Sequence, residues 1–223
     1  MRHSRTLWLC TLLLFCPVAP ADAAEFSAGL LLGHGLGTGG DFSLEAARFA
    51  EGLPFSLRLG LGYSLLDPGD AVAARHIFIN DNTNGTPEDE GHAYDWRLDL
   101  LRELGWGPLA GTRLFGGPRY ASFTGTFSYI GGNEEFDVTS DQWGLGAGLE
   151  RRWAMGSRWG FVMAGGLDYY LSSHIHGHDT TYSPDGEDVN GREGYDYDTA
   201  DEAINQPELE WRLGLGLNLS LGD

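Results

Sequence analysis

Three histidines recur at every second position in His174-Ile175-His176-Gly177-His178, and Asp179 follows at once. Residues two apart share one face of an extended chain, so these imidazoles could converge on a metal such as Zn²⁺ or Cu²⁺. His174, His176 and His178 are therefore the candidate metal ligands, although an exposed polar strand end would carry the same string. Oxygen donors follow in two groups, Asp185, Glu187, Asp188 and Asn190, then Asp196, Asp198 and Asp201. Their type suits Ca²⁺, but neither group has the spacing of an EF-hand loop with its closing bidentate Glu. Ser172, Ser173, His174 and Asp168 supply the residue types of a hydrolytic triad. Adjacent strand residues point to opposite faces, which speaks against their meeting. No enzyme and no cofactor is expected.

The elements that must carry these residues are two-faced strands. From Leu209 to Leu221 every odd position is Leu or Trp, while the even ones are Glu, Arg, Gly, Gly, Asn and Ser. That period of two predicts a strand with one wide apolar face and one small or charged face. Further segments repeat it: Phe26–Leu32, Phe42–Ala46, Phe55–Leu65, Tyr94–Leu100, Trp143–Leu149 and Trp159–Leu171. One more is ragged: Leu114, Gly116, Pro118 and Tyr120 keep one parity, then Phe123, Phe127 and Tyr129 keep the other. A bulge near Ala121 would reconcile the two halves. The expected fold is all-β, an eight-stranded antiparallel up-and-down transmembrane β-barrel with acidic extracellular loops. A soluble barrel would have to expose the other face, which is mostly Gly with little of the Thr, Lys and Glu that coat a solvated sheet.

Connection lengths alternate. The second, fourth and sixth are short, around Gly52-Leu53-Pro54, Gly105 to Gly111 and Met155-Gly156-Ser157. The first and third outer ones, Gly35 to Asp41 and Gly131 to Glu135, are modest, and the others, Asp67 to His92 and Ser172 to Gln206, are long. Barrels with short periplasmic turns and long outer loops show this pattern, which puts both termini in the periplasm. Phe26, Phe49, Phe55, Trp106, Trp153 and Trp159 would then ring the inner end, and Tyr63, Tyr94, Trp96, Tyr129, Trp143, Tyr169 and Trp211 the outer. The small face assigns to the lumen Glu45, Asp95, Asp99, Glu150, Asp168 and Glu210, against Arg58, Arg97, Arg113, Arg119, Arg152 and Arg212. Eight strands leave room for side chains and little else, so these charges are expected to pair and fill the interior.

Residues 1–23 read as a cleaved signal peptide. Arg2 and Arg5 precede the apolar run Leu7–Phe15, and Ala21-Asp22-Ala23 is an A-x-A cleavage site. Cleavage would remove Cys10 and Cys16, the two cysteines of the chain, and leave residues 24–223 as one barrel domain. The net charge is −18, with 14 basic residues, all of them Arg, against 32 acidic ones, which excludes nucleic acid as a natural partner. Six acids lie between Asp67 and Glu90 and ten between Asp179 and Glu208, opposed there by Arg75 and Arg192 alone. Such loops read as a solvated surface able to attract divalent cations.

Taken together, the export signal, the eight amphipathic strands, the loop alternation and the Gly-rich inner face resemble small outer-membrane barrel proteins of the OmpA/OmpX type, over essentially the whole mature chain. The resemblance implies a monomer in the cell outer membrane, in contact with lipid and lipopolysaccharide, with a structural or surface-interaction role. No motif matches the lipid A deacylases or palmitoyltransferases.

Overall fold

A computed structural model describes residues 24–48, 53–188 and 191–222. The signal-peptide segment, Phe49, Asn190 and Asp223 lie outside these described residues. Ten strands form one sheet: β1 (Glu25–His34), β2 (Thr38–Ala47), β3 (Ser56–Leu66), β4 (Thr86–Leu104), β5 (Thr112–Ile130), β6 (Glu134–Ala154), β7 (Trp159–Tyr170), β8 (Ile175–Gly177), β9 (Thr180–Tyr182) and β10 (Leu209–Ser220). Eight of them close into an antiparallel barrel in the order β5-β4-β3-β2-β1-β10-β7-β6, with β6 returning to β5. Closure pairs every strand on both sides, so no edge is left where the wall meets lipid. The short β8–β9 hairpin is added outside the ring, on the upper part of β6 at Val138–Ser140.

The apolar face points outward, as the alternation requires. Leu30, Leu44, Leu59, Leu98, Leu145, Met163, Leu213, Leu215 and Leu217 are all exposed around the middle of the wall. A continuous belt of exposed leucine this large would aggregate in water and is at home in lipid. Exposed aromatics flank it. At the end carrying the termini are Phe26, Trp106, Trp153 and Trp159; at the other end are Tyr63, Tyr94, Trp96, Trp143, Tyr169 and Trp211.

Two expectations are corrected by β4, β5 and β6, which run to 19, 19 and 21 residues. The ladder from Thr112↔Arg151 to Tyr129↔Glu134 keeps one register throughout, so there is no bulge at Ala121. On the other side the β4–β5 ladder skips Leu98 and Asp99, opposite Pro118 and Gly117, where proline has no N–H to donate. It then resumes in the same register. What changes along β5 is the chemistry of its faces, not the parity. Below Tyr120 the outward residues are Leu114, Gly116 and Pro118, and Arg119 faces in; above it Ser122, Thr124, Thr126 and Ser128 face out, and Phe123, Phe127 and Tyr129 are buried inside. Tyr129 thus belongs to an interior and not to the girdle. The same inversion occurs in β6 above Trp143, where Asp141, Asp137 and Glu135 are outward and Val138 and Phe136 buried. Tyr120 and Trp143, ring centroids 5.1 Å apart, mark the level.

Above that level the long connections are a folded cap and not a loose fringe. Helix α1 (Ala71–Phe78) starts at Asp70, whose Oδ1 accepts from the N–H groups of Val72 (2.8 Å) and Ala73 (3.0 Å). Its residues Ala71, Ala74, Ile77 and Phe78 fall on one helical face and are buried against Phe127, Tyr129, Phe136, Val138, Ile175 and Tyr182. Helix α2 (Tyr197–Ala203) starts at Asp196 and adds Ala200 and Ala203 to this second core.

Substituting Leu215 by Arg puts a charge at mid-belt, opposite Leu32 and Met163. The expected cost is about 2–4 kcal/mol in a denaturant titration in bilayers, and an unchanged midpoint would show that this face does not meet lipid.

Candidate functional site

Inside the barrel the small and charged face of each strand converges on one ion-pair network. In its lower part Glu150 accepts from Arg113 Nε and Arg152 Nε, each at 3.0 Å, and from Arg58. Glu45 takes Arg113 Nη1 at 2.5 Å on one oxygen, and Arg113 Nη2 at 3.0 Å and Arg152 Nη2 at 2.5 Å on the other. Asp99 joins the two halves. One of its oxygens accepts from Arg58 Nη2 (3.0 Å) and Nε (3.3 Å), while the other lies 2.8 Å from Arg119 Nη1. In the upper part Asp168 accepts from Arg119 Nε at 2.8 Å and Arg212 Nε at 2.9 Å. Arg212 also reaches Asp41 (3.2 Å) and Asp95 (3.4 Å). Arg97 pairs with Asp41, and its Nε lies 2.9 Å from Asp95 as an ion pair outside hydrogen-bond alignment.

Six guanidiniums thus meet six carboxylates and the interior is neutral. Arg suits the task because its planar fork serves two or three acceptors at once, where an ammonium would serve them only as a point charge. The inner-face glycines make the room. A Cβ on Gly146 would lie 1.8 Å from Asp168 Oδ1, and one on Gly62 would lie 2.0 Å from Asp95 Oδ1. One step up the same strand faces, Ala93, Ala121 and Tyr170 pack with Leu36 into an apolar layer over the ions. The cap core lies beyond it.

All six arginines named from the sequence are in this network, together with five of the six acids. The sixth acid is corrected: Glu210 is half-buried at the mouth of the barrel, outside the network among the described residues, and Asp41 takes its place. In the sequence Asp41 is hidden because it reads as the end of a turn. Its parity with Ser43 and Glu45 is the signal that finds it.

The histidines fare differently. His174 and His176 do share a face, their rings stacked with centroids 6.0 Å apart, and His176 Nδ1 lies 3.0 Å from Thr181 Oγ1. His178 does not join them. It sits in the β8–β9 turn with φ +48°, its Nδ1 3.3 Å from Asp179 Oδ2. A strand of three residues cannot place a third imidazole on the same face. Among the described residues no group of three or more His, Cys, Asp or Glu converges to hold a metal ion.

Several of the loop acids have local work. Asp196 caps α2 through Thr199 N at 3.0 Å, Asp185 accepts from Glu187 N at 3.2 Å, and Asp188 accepts from Ser183 N at 3.2 Å. The hydrolytic set is dispersed as well: Asp168 faces Arg119 and Arg212 in the lumen, while His174 stacks on His176 in the cap.

Among the described residues the cap has one buried cation, Arg75. It lies 4.3 Å from the centre of the Tyr129 ring, donates to Asn84 O at 2.6 Å and Oδ1 at 2.8 Å, and pairs with Glu134. Burial pushes the Tyr129 hydroxyl up to about 12. The hydrogen bond from Asn80, with help from Arg75, holds the Glu134 carboxyl below the ordinary carboxylate range.

No protein-family model matches the chain, and no curated protein matches it in sequence. Among solved structures, a major outer membrane protein from Thermus thermophilus superposes with a TM-score of 0.71 at 24% identity, over 89% of this chain and 100% of that one. CarO2 of Acinetobacter baumannii aligns over 88% of this chain and 99% of its own, at 14% identity and a TM-score of 0.41. The fold is that of a small outer-membrane β-barrel.

Two outcomes are expected. Replacing Asp168 by Ala leaves Arg119 and Arg212 short of a carboxylate in a closed interior and should cost about 3–5 kcal/mol, read from unfolding in bilayers; a loss below about 1 kcal/mol would mean that water or neighbours already serve both cations. Because Glu134 is held below its ordinary value, its contribution to the cap is complete above about pH 4.3 and fades as the pH falls further. Protection factors from hydrogen exchange at 79–85, corrected for the intrinsic pH dependence of amide exchange, should be steady from about pH 7 to 5 and fall below about 4, whereas an identical acid profile in Glu134→Gln would remove Glu134 as the cause.

Proposed function

We propose that this chain is a monomeric integral protein of the cell outer membrane, with both termini in the periplasm, that holds a rigid acidic cap at the cell surface and has a structural or surface-interaction role. What supports this reading is the crowding of the interior by paired side chains. A neutral network of twelve charged side chains spans the lumen, an apolar layer covers it, and a hydrophobic core sits above. In this reading the lumen is plugged, and among the described residues Asp168 and His174, two members of the hydrolytic set, lie apart.

Charge supports the orientation. The exposed arginines Arg48, Arg102, Arg151 and Arg158 all lie at the termini end, where Arg102 and Arg151 lean on Phe55 and Trp153. The acids crowd the opposite end, against Arg75 and Arg192. Guanidiniums beside an aromatic girdle suit phospholipid phosphates, with the apolar stem in the lipid and the head at the interface. The partners in this reading are the surrounding lipid and lipopolysaccharide, with divalent cations attracted to the cap as a collective effect of its charge. No nucleic acid and no cofactor takes part.

Planar-bilayer recording tests the sealed lumen. Insertion of the purified protein should raise no stable conductance steps, whereas large and long-lived steps in most insertions would replace this reading with a pore.

A further inference from the structure

The cap is incomplete on one side. The β1–β2 connection is only residues 35–37, whereas the neighbouring connections, 67–85 and 171–208, are long and build the cap. Over the low turn lies a cleft of about 350 Å³ whose wall includes His34, Leu36, Leu66, Asp67, Asn205 and Glu210. Its far wall is fixed: Asn205 Nδ2 donates to Asp67 O at 3.0 Å, and Gly69 bridges to Ile204. On the outer side His34 packs against Trp211 of the girdle, ring centroids 4.6 Å apart and ring planes tilted by 30°.

Glu210 is the group that needs explaining. Its parity with Arg212 puts it on the inner face, yet the six arginines are already matched by six other carboxylates. No guanidinium pairs with it among the described residues, and the favourable charge beside it is the imidazole of His34 in the same cleft wall. A half-buried carboxylate with only an imidazole for a cation is costly to keep unless a ligand uses it. Asp67 adds a second acid to the cleft, and the leucines and Pro207 supply apolar wall.

We propose that this cleft binds a protonated primary amine carried on a short apolar chain, with Glu210 as its principal acceptor and Asp67 beside it. A bare metal ion is a poor occupant, since no three ligands converge there among the described residues. Anions are repelled. A volume near the lower end of small-molecule sites suits a compact solute or a lipid headgroup. The inference stands whether or not the lumen conducts.

Calorimetry on the detergent-solubilised protein with n-butylamine, against n-butanol at equal ionic strength, tests the chemistry. A parallel arm asks whether nanodisc-embedded protein retains phosphatidylethanolamine over phosphatidylcholine by native mass spectrometry. Saturable butylamine binding assigns a free solute, and selective retention assigns a headgroup. In either arm Glu210→Gln should weaken binding about tenfold, and Asp67→Asn less, while Glu135→Gln on the outward face of β6, beside Glu88 and Thr126, should change nothing. Glu210→Gln keeps the side-chain shape, and its β-sheet circular dichroism confirms folding. Binding that survives Glu210→Gln, equal binding of butanol, or no saturable binding in either arm would overturn the proposal.

Discussion

Closure gives each strand one face that looks in and one that looks out along its whole length, while the surroundings change from lipid to water part-way up. A strand that crosses that boundary without a bulge must therefore exchange the polarity of its two faces. β5 does this within two residues of Tyr120, and β6 does it at Trp143. In the lipid zone the outward face is leucine and the inward face is Arg, Asp, Glu and Gly. In the water zone the outward face is Ser, Thr, Asp and Glu, and the inward face is aromatic. The ion-paired lumen and the cap core are the two interiors of one continuous sheet, built to opposite rules.

The lower interior obeys the rule for charges removed from water: each must be met by an opposite charge, and breaking a match costs more than the match contributes. That explains why arginine alone is used and why glycine lines the inner wall. Each guanidinium needs several acceptors within reach, and each acceptor needs space that a β-carbon would fill. The upper interior needs no such matching, because α1 and α2 bring alanines, Ile77 and Phe78 to cover the aromatics. Arg75, the buried exception, is held by a ring, an asparagine and a carboxylate together.

Eight strands, their outward leucines, the six lumen arginines and the alternation of connections are all legible in the sequence, because a period of two is a local signal and closure makes it obligatory. The parity change in β5 is legible as well but admits two explanations. A bulge and an exchange of surroundings leave the same trace in one strand, and only the matching change in β6 separates them. Helix α1 escapes a reading by strand periodicity although Asp70 and the spacing of Ala71, Ala74, Ile77 and Phe78 carry its signature, since an acidic, polar stretch between strands reads as loop. Asp41 escapes it for want of a turn boundary. The histidine triplet reads as one face because nothing local announces that β8 ends at Gly177.

Residues 24–223 contain no cysteine, so in protein produced without residues 1–23 single cysteines can be placed along β5 without background. The decisive measurement is their labelling by a membrane-impermeant maleimide in proteoliposomes, at outward positions 114, 118, 122, 124 and 126 and inward positions 123 and 127. Labelling at 122, 124 and 126, with protection at 114 and 118 by lipid and at 123 and 127 by packing, is the expected result. Labelling at 123 and 127 with protection at 122 and 124 would mean that the strand shifts register near Ala121, and the two-interior structure would be wrong.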